Sequence, residues 1–341
     1  MPGIFSWVKS RLSPETESPP REKRYRRSQS QVQSAAGHSP GERLNNHLFC
    51  WLLDCGPRQL ETPSPFTRKV LAEIELRLEK NRLEELPRQP LTLPTLLRTL
   101  SRESTTRKEV VDIILSDASL TDQVLQVANS PFFKTGDQTI ETVDQAVFVL
   151  GLDGIRNVVS ASVMRPMLAA RNSTESTFTQ RVWRWGLGCA RASELVALSR
   201  HEDSTTCFMA GLLPALAYLT LRREVQTIVS RRYPGQQATP QMCHVVMTGF
   251  GWITARKAAD AWGLPDRYHE LLDGAESPAD KKPPSSLNDG LILGTREILR
   301  NAHQRNLPEE ELESLVALDP EQLSRMRQSL SRFLADGPSS R

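Results

Sequence analysis

The chain has 341 residues, 38% of them hydrophobic, enough to bury a sizeable core and still leave residues for tails or a second lobe. Its 43 Lys and Arg against 40 Asp and Glu leave a formal charge of +3, which excludes a strong overall field for nucleic acid or membrane. The five cysteines, Cys50, Cys55, Cys189, Cys207 and Cys243, are odd in number and form no CxxC pair. That argues against a disulfide framework or a zinc site and for reduced, mainly buried thiols.

Residues 1–41 read as a disordered tail. From residue 13 onward they are rich in Ser, Pro, Gln and charge and nearly free of aliphatic side chains, so ordering them gains too little burial. Ahead of that stretch Ile4, Phe5, Val8 and Leu12 fall on one helical face. A helix this short is marginal alone, which favours a frayed end over a membrane-surface or partner-binding helix. Arg21, Lys23, Arg24, Arg26 and Arg27 surround Tyr25 in the same tail. Such clusters bind nucleic acid or anionic lipid, but a basic run in a polar linker of a near-neutral chain is more often solvated. With no helix-turn-helix or zinc signature and no glycine-rich phosphate loop, no sequence-specific nucleic acid is expected. No unbroken run of about 18 apolar residues and no secretory cleavage pattern is seen, so a cytoplasmic protein without a transmembrane segment is expected.

Between residues 42 and 86 the stripes Leu44, Leu48, Trp51, Leu52 and Val70, Ile74, Leu78 predict two helices of a small N-terminal subdomain, with Glu73 and Arg77 paired four apart. A denser region follows from Leu93. Val110, Val111, Ile113 and Ile114 predict one helix, and Leu120, Val124, Val127 and Ala128 another, closed by Asn129-Ser130-Pro131. Thr142 and Gln145 make a capping box before Val143, Ala146, Val147 and Leu150, and Gly151 ends that helix. The next begins near Asp153 with Ile155, Val158 and Val159. Residues 276–288 read as a linker and 289–341 as a C-terminal helical segment. In its last helix Asp319 caps, Pro320 opens, and Leu323, Met326, Leu330, Phe333 and Leu334 form a stripe that the domain or a partner must cover. No period-two run of strand length competes, so the fold class is all-α, a compact helical bundle.

Over residues 92–275 the sequence resembles the HDOD family, the regulatory relatives of HD and HD-GYP metal-dependent phosphohydrolases. The resemblance rests on segments in the right order: Leu93-Pro94, Ser116-Asp117-Ala118-Ser119-Leu120-Thr121, Leu125 to Phe133 with Asn129-Ser130, Ile140 to Asn157 around Leu150-Gly151-Leu152, and Ala261-Trp262-Gly263-Leu264-Pro265. It implies an HD-like bundle. An HD centre uses His and Asp to hold divalent ions that generate hydroxide. Here the first ligand position aligns with Trp185, the His-Asp dyad with Pro214 and Ala215 in Ala210-Gly211-Leu212-Leu213-Pro214-Ala215, a later His with Gly251, and the paired histidines with Gly274 and Ala275. None of these holds a metal, so no catalytic, metal or cofactor-binding residue is expected, and Pro214 is expected to kink or restart its helix.

The remaining histidines are weaker candidates. His201-Glu202-Asp203 are consecutive and point in different directions, as in a solvated loop. Cys243 and His244 with His269 suggest a thiol–imidazole pair, but no orienting third group is evident and ordinary packing is favoured. The resemblance implies a bacterial, non-catalytic signal-transduction protein whose partners are signalling proteins of kinase or cyclic-dinucleotide pathways. Two alternatives are a phosphodiesterase with unrecognised ligands and a nucleic-acid or membrane-associated regulator using the basic tail. Oligomeric state is open.

Overall fold

The computed structural model describes residues 39–88, 105–130, 132–133, 138–276 and 285–335. The amphipathic start, the basic cluster at 21–27, Leu93-Pro94, Pro131 and most of the expected linker lie outside the described residues. From Ser39 onward the chain forms one compact unit, and the described residues are helices joined by turns, with no strand among them.

Short helices α1 (Pro40–Leu52), α2 (Pro57–Glu61) and α3 (Thr67–Glu79) come first. α4 (Arg107–Leu115), α5 (Ala118–Ala128) and α6 (Val143–Met164) follow. The centre is built from the long helices α7 (Ser173–Ser199), α8 (Ser204–Arg232) and α9 (Pro240–Ala261), with α10 (Asp266–Glu276) beside them. α11 (Ser286–Asn301), α12 (Glu309–Glu313) and α13 (Pro320–Ala335) complete it.

The expected tail boundary at residue 41 runs past the start of a helix. Ser39 accepts from the Glu42 amide at 3.2 Å while the Glu42 carboxylate accepts from the Ser39 amide at 2.9 Å, so Ser39, Pro40 and Gly41 open α1. Composition pointed to disorder here because a capping box draws on the same Ser and Pro that mark linkers. Residues 42–86 share the main core: α1 packs on α7 and α11, and α3 on α8 and α9.

Gly151 has φ 71° and ψ 179°, so α6 is two helical segments meeting at a turn only glycine makes readily. Pro214, by contrast, lies inside the uninterrupted α8; the helix does not restart there. The missing donor costs about 3 kcal/mol, but twenty of its residues are buried, Phe208 to Ala217 among them, and packing on α7, α9 and α11 outweighs it. α6 and α8 are long and apolar enough to cross a membrane by length and composition; the apolar stretch of α8 is 83% buried in this core, as befits a central bundle helix.

α11 is not an appendage beyond a linker ending at 288. It begins at Ser286, with Ser285 capping Asn288, and lies in close contact with α7: a Cβ on Gly294 would sit 2.6 Å from the Cys189 Cα. The α13 stripe of Leu323, Met326, Leu330 and Leu334 is buried, and the chain itself covers it through Ala192 and Val196 of α7, Leu293 of α11, Leu312 and Val316.

Candidate functional site

Trp185 sits on the fourth turn of α7, in a helix begun by Asn172, whose side chain accepts from the Glu175 amide at 3.0 Å. The indole is 3% exposed. One face lies parallel to Tyr218 of α8, with centroids 5.0 Å apart and planes at 4°. Its Nε1 donates to Thr295 Oγ1 of α11 at 2.9 Å. The buried N–H is thus satisfied, as a buried indole requires.

Tyr218 is one turn past Ala215 on α8 and continues the stack toward α1: its ring centroid is 5.3 Å from that of Phe49. Phe49 in turn lies 4.7 Å from His244 on α9. Gly251 on α9 leaves the room that the tyrosine ring needs, since a Cβ there would approach Tyr218 Cε1 to 2.9 Å. Ala215 faces Gly186 on α7, where an added Cβ would come within 2.7 Å of it. Trp185, Ala215 and Gly251 therefore border one column of side chains in the bundle. Pro214 is buried in α8, Ala275 in α10, and Gly274 faces Ser285, the cap of α11.

The electrostatics of this column suit uncharged groups. Burial pushes the Tyr218 hydroxyl well above its usual range, with the nearby Cys189 adding to it. Burial lowers the His244 imidazole to about 4, against an opposing hydrogen bond to the Leu60 carbonyl. Burial also raises the Cys189 thiol to about 12, eased by its contact with Thr295. An indole, a protonated phenol, a hydroxyl, an alanine and a glycine offer no carboxylate or free imidazole pair, so this donor set does not fit a divalent ion. Among the described residues no three His, Cys, Asp or Glu side chains are grouped as metal ligands would be.

Elsewhere the motif residues hold the backbone. Asn129 donates to the Leu125 and Ile140 carbonyls at 2.9 and 2.7 Å and accepts from the Ile140 amide at 2.8 Å, pinning the segment after α5. Asn157 donates to the buried Glu194 at 2.7 Å, whose other oxygen meets Arg191 at 2.5 Å. Buried Trp262 donates to the Pro87 carbonyl at 3.0 Å. Of the weaker candidates, His201 and Glu202 are exposed, and Asp203 caps α8 by accepting from the Thr206 amide at 3.0 Å. Cys243 is buried; His244 is committed to Phe49 and His269 lies 3.5 Å from Asp260.

Sequence reasoning missed Tyr218, Phe49, His244 as a stacking partner, and Thr295. Tyr218 carried a signal, its spacing of three from Ala215 on one helix face. Phe49 and Thr295 come from segments assigned to other parts of the chain and carried none.

The HDOD domain profile matches residues 86–278, more than half of the chain. The chain belongs to the HDOD domain family. No curated protein matches this HDOD chain. Among solved structures, a protein of Shewanella amazonensis SB2B provisionally named a metal-dependent phosphohydrolase superposes with a TM-score of 0.58 at 17% identity, over 80% of this chain and 99% of that one. An HDOD domain protein of unknown function from Geobacter sulfurreducens gives 0.55 at 16% identity, over 78% and 95%. A protein of Marinobacter aquaeolei VT8 provisionally named a signal transduction protein gives 0.52 at 19%, over 80% of this chain and 64% of that one. At such identities these likenesses speak to the fold, the helical HDOD bundle.

Proposed function

We propose that this HDOD protein is a non-catalytic bacterial regulator that works in the cytoplasm by binding other signalling proteins, without a cofactor. The observation that carries the reading is the Trp185–Tyr218 stack, which fills the column bordered by Ala215 and Gly251, positions that the family resemblance places at the metal ligands of an HD centre. A water-activating metal centre needs open, charged ligands; a stacked, hydrogen-bonded indole is a packing solution. Family membership and the signal-transduction name of one structural neighbour agree with a regulatory role.

A protein-binding role also agrees with the exposed apolar side chains beside an open groove of about 750 Å³ between α4 and α6. Phe148 is 77% exposed there and Leu115 53%. The test has two arms. Purified full-length protein is assayed for hydrolysis of cyclic dinucleotides with added Mg²⁺ or Mn²⁺, and tagged protein is used to isolate stoichiometric partners from its native host. The expected result is no hydrolysis above buffer and recovery of a signalling protein; a Phe148→Ser variant that keeps its melting temperature separates binding through this groove from binding elsewhere. Metal-dependent turnover by the purified protein would overturn the reading. So would salt-sensitive binding to nucleic acid or anionic vesicles lost on deleting residues 1–27, in the absence of a protein partner.

A further inference from the structure

The end of α1 is a Schellman turn with a cysteine at each of its two contacting positions. The Cys55 amide donates to the Cys50 carbonyl at 3.0 Å and the Asp54 amide to the Trp51 carbonyl at 3.3 Å, while Asp54 takes the left-handed conformation at φ 54°. This motif brings the side chain of the third-to-last helical residue against that of the second residue after the C-cap, a contact usually apolar. Here those two positions are Cys50 and Cys55. Both thiols are free and half-buried, and both line an open, largely polar cavity of about 320 Å³ with Asp54, Arg181 and Gln304. Aspartate enters the left-handed region more readily than most residues; the Asp54 carboxylate accepts from Arg181 at 2.8 Å, and Arg181 also donates to the Trp51 carbonyl.

We propose that Cys50 and Cys55 form a redox-active dithiol that closes to an intrahelix-end disulfide on reaction with small-molecule disulfides of the glutathione class. The turn places Cys50 and Cys55 at the two positions whose side chains the motif brings together, and the cavity that both line gives an attacking disulfide access. Cys50 is the nucleophile. The neighbouring Cys55 thiol lowers its pKa, with burial and the charge of Glu61 opposing and that of Arg305 assisting, while Cys55 is raised. The Cys50 thiolate attacks one sulfur of the reagent, forming a mixed disulfide and releasing one thiolate. Cys55 then loses its proton to solvent and attacks the Cys50 sulfur, releasing the second. Two protein thiols are oxidised by two electrons, and one reagent disulfide is reduced to two thiols. Cys189, Cys207 and Cys243 are buried with raised pKa values and stay out of the exchange.

The test uses the reduced full chain treated with glutathione disulfide, quenched with iodoacetamide and digested with trypsin, because residues 44–58 fall in one peptide holding both cysteines. The expected product is that peptide lighter by two hydrogen atoms, unalkylated and free of glutathione, appearing before any change at the three buried thiols. Cys55→Ser should instead retain a glutathione adduct on Cys50, and Cys50→Ser should slow the reaction about tenfold. Peptide 44–58 carrying two alkyl groups throughout would overturn the proposal. So would a Cys50 link to Cys243 or to a second chain, or a Cys55→Ser protein that keeps no adduct.

Discussion

Trp185 and Tyr218 lie face to face, their planes 4° apart and their centroids separated by 5.0 Å, with the indole N–H bonded across to Thr295. α7, α8 and α11 each supply one member, so the stack fastens three helices at one point.

Trp185→Ala should therefore cost about 3–5 kcal/mol through the cavity and the lost contacts. Trp185→Phe should cost less, since it keeps a ring against Tyr218 and loses the bond to Thr295. Chemical denaturation of the three proteins measures both; an unchanged midpoint for Trp185→Ala would mean the indole is a ligand platform rather than part of the core.

Two glycines on one helix should respond with opposite sign. Gly249 is exposed with nothing within 4 Å of an added Cβ, so Gly249→Ala should stabilise by about 0.5–1 kcal/mol through helix propensity. Gly251→Ala drives its methyl to 2.9 Å from the Tyr218 ring and should destabilise by about 1–3 kcal/mol, because a stacked ring has little room to retreat. Thermal melts of the pair in parallel give the comparison.

Stability should fall on mild acidification, and His244 is one cause. Burial holds its folded pKa at about 4, below the ordinary 6.5, so the folded state favours the neutral imidazole. This contribution is present above the unfolded pKa and is lost as pH falls toward the folded one, a window from about 6.5 to about 4 worth roughly 3 kcal/mol at most. His244→Gln should flatten the curve in that window. An equally steep decline in the variant would assign the effect to other groups.

Glu175 and Arg223 form a buried bidentate pair at 2.7 and 3.1 Å, and Arg223 also donates to the Met167 and Ala169 carbonyls. Glu175→Gln leaves a buried guanidinium uncompensated and should cost about 3–5 kcal/mol. The double variant Glu175→Gln, Arg223→Met should recover part of that loss, and a double-variant cycle in urea reads the coupling.

The helices α1, α3 to α6 and α13, and the caps of α6 and α13, were legible in the sequence because they depend on neighbours three and four residues apart. Asp319 caps α13 by accepting from the Gln322 amide at 2.8 Å, Thr142 caps α6 at 3.1 Å, and Gly151 turns where its pattern breaks. The placement of Trp185, Pro214, Ala215 and Gly251 at the ligand positions of an HD centre is an expectation from the resemblance, read by order along the chain. What fills the column they border was decided only in three dimensions. Phe49 stands 136 residues before Trp185 and Thr295 110 residues after it, and no local periodicity connects them. Tertiary packing also decided the course of α8 at Pro214. Local chemistry argues for a break there, but the break would expose the most buried helix of the bundle, and burial along its whole length carries more free energy than one absent backbone donor.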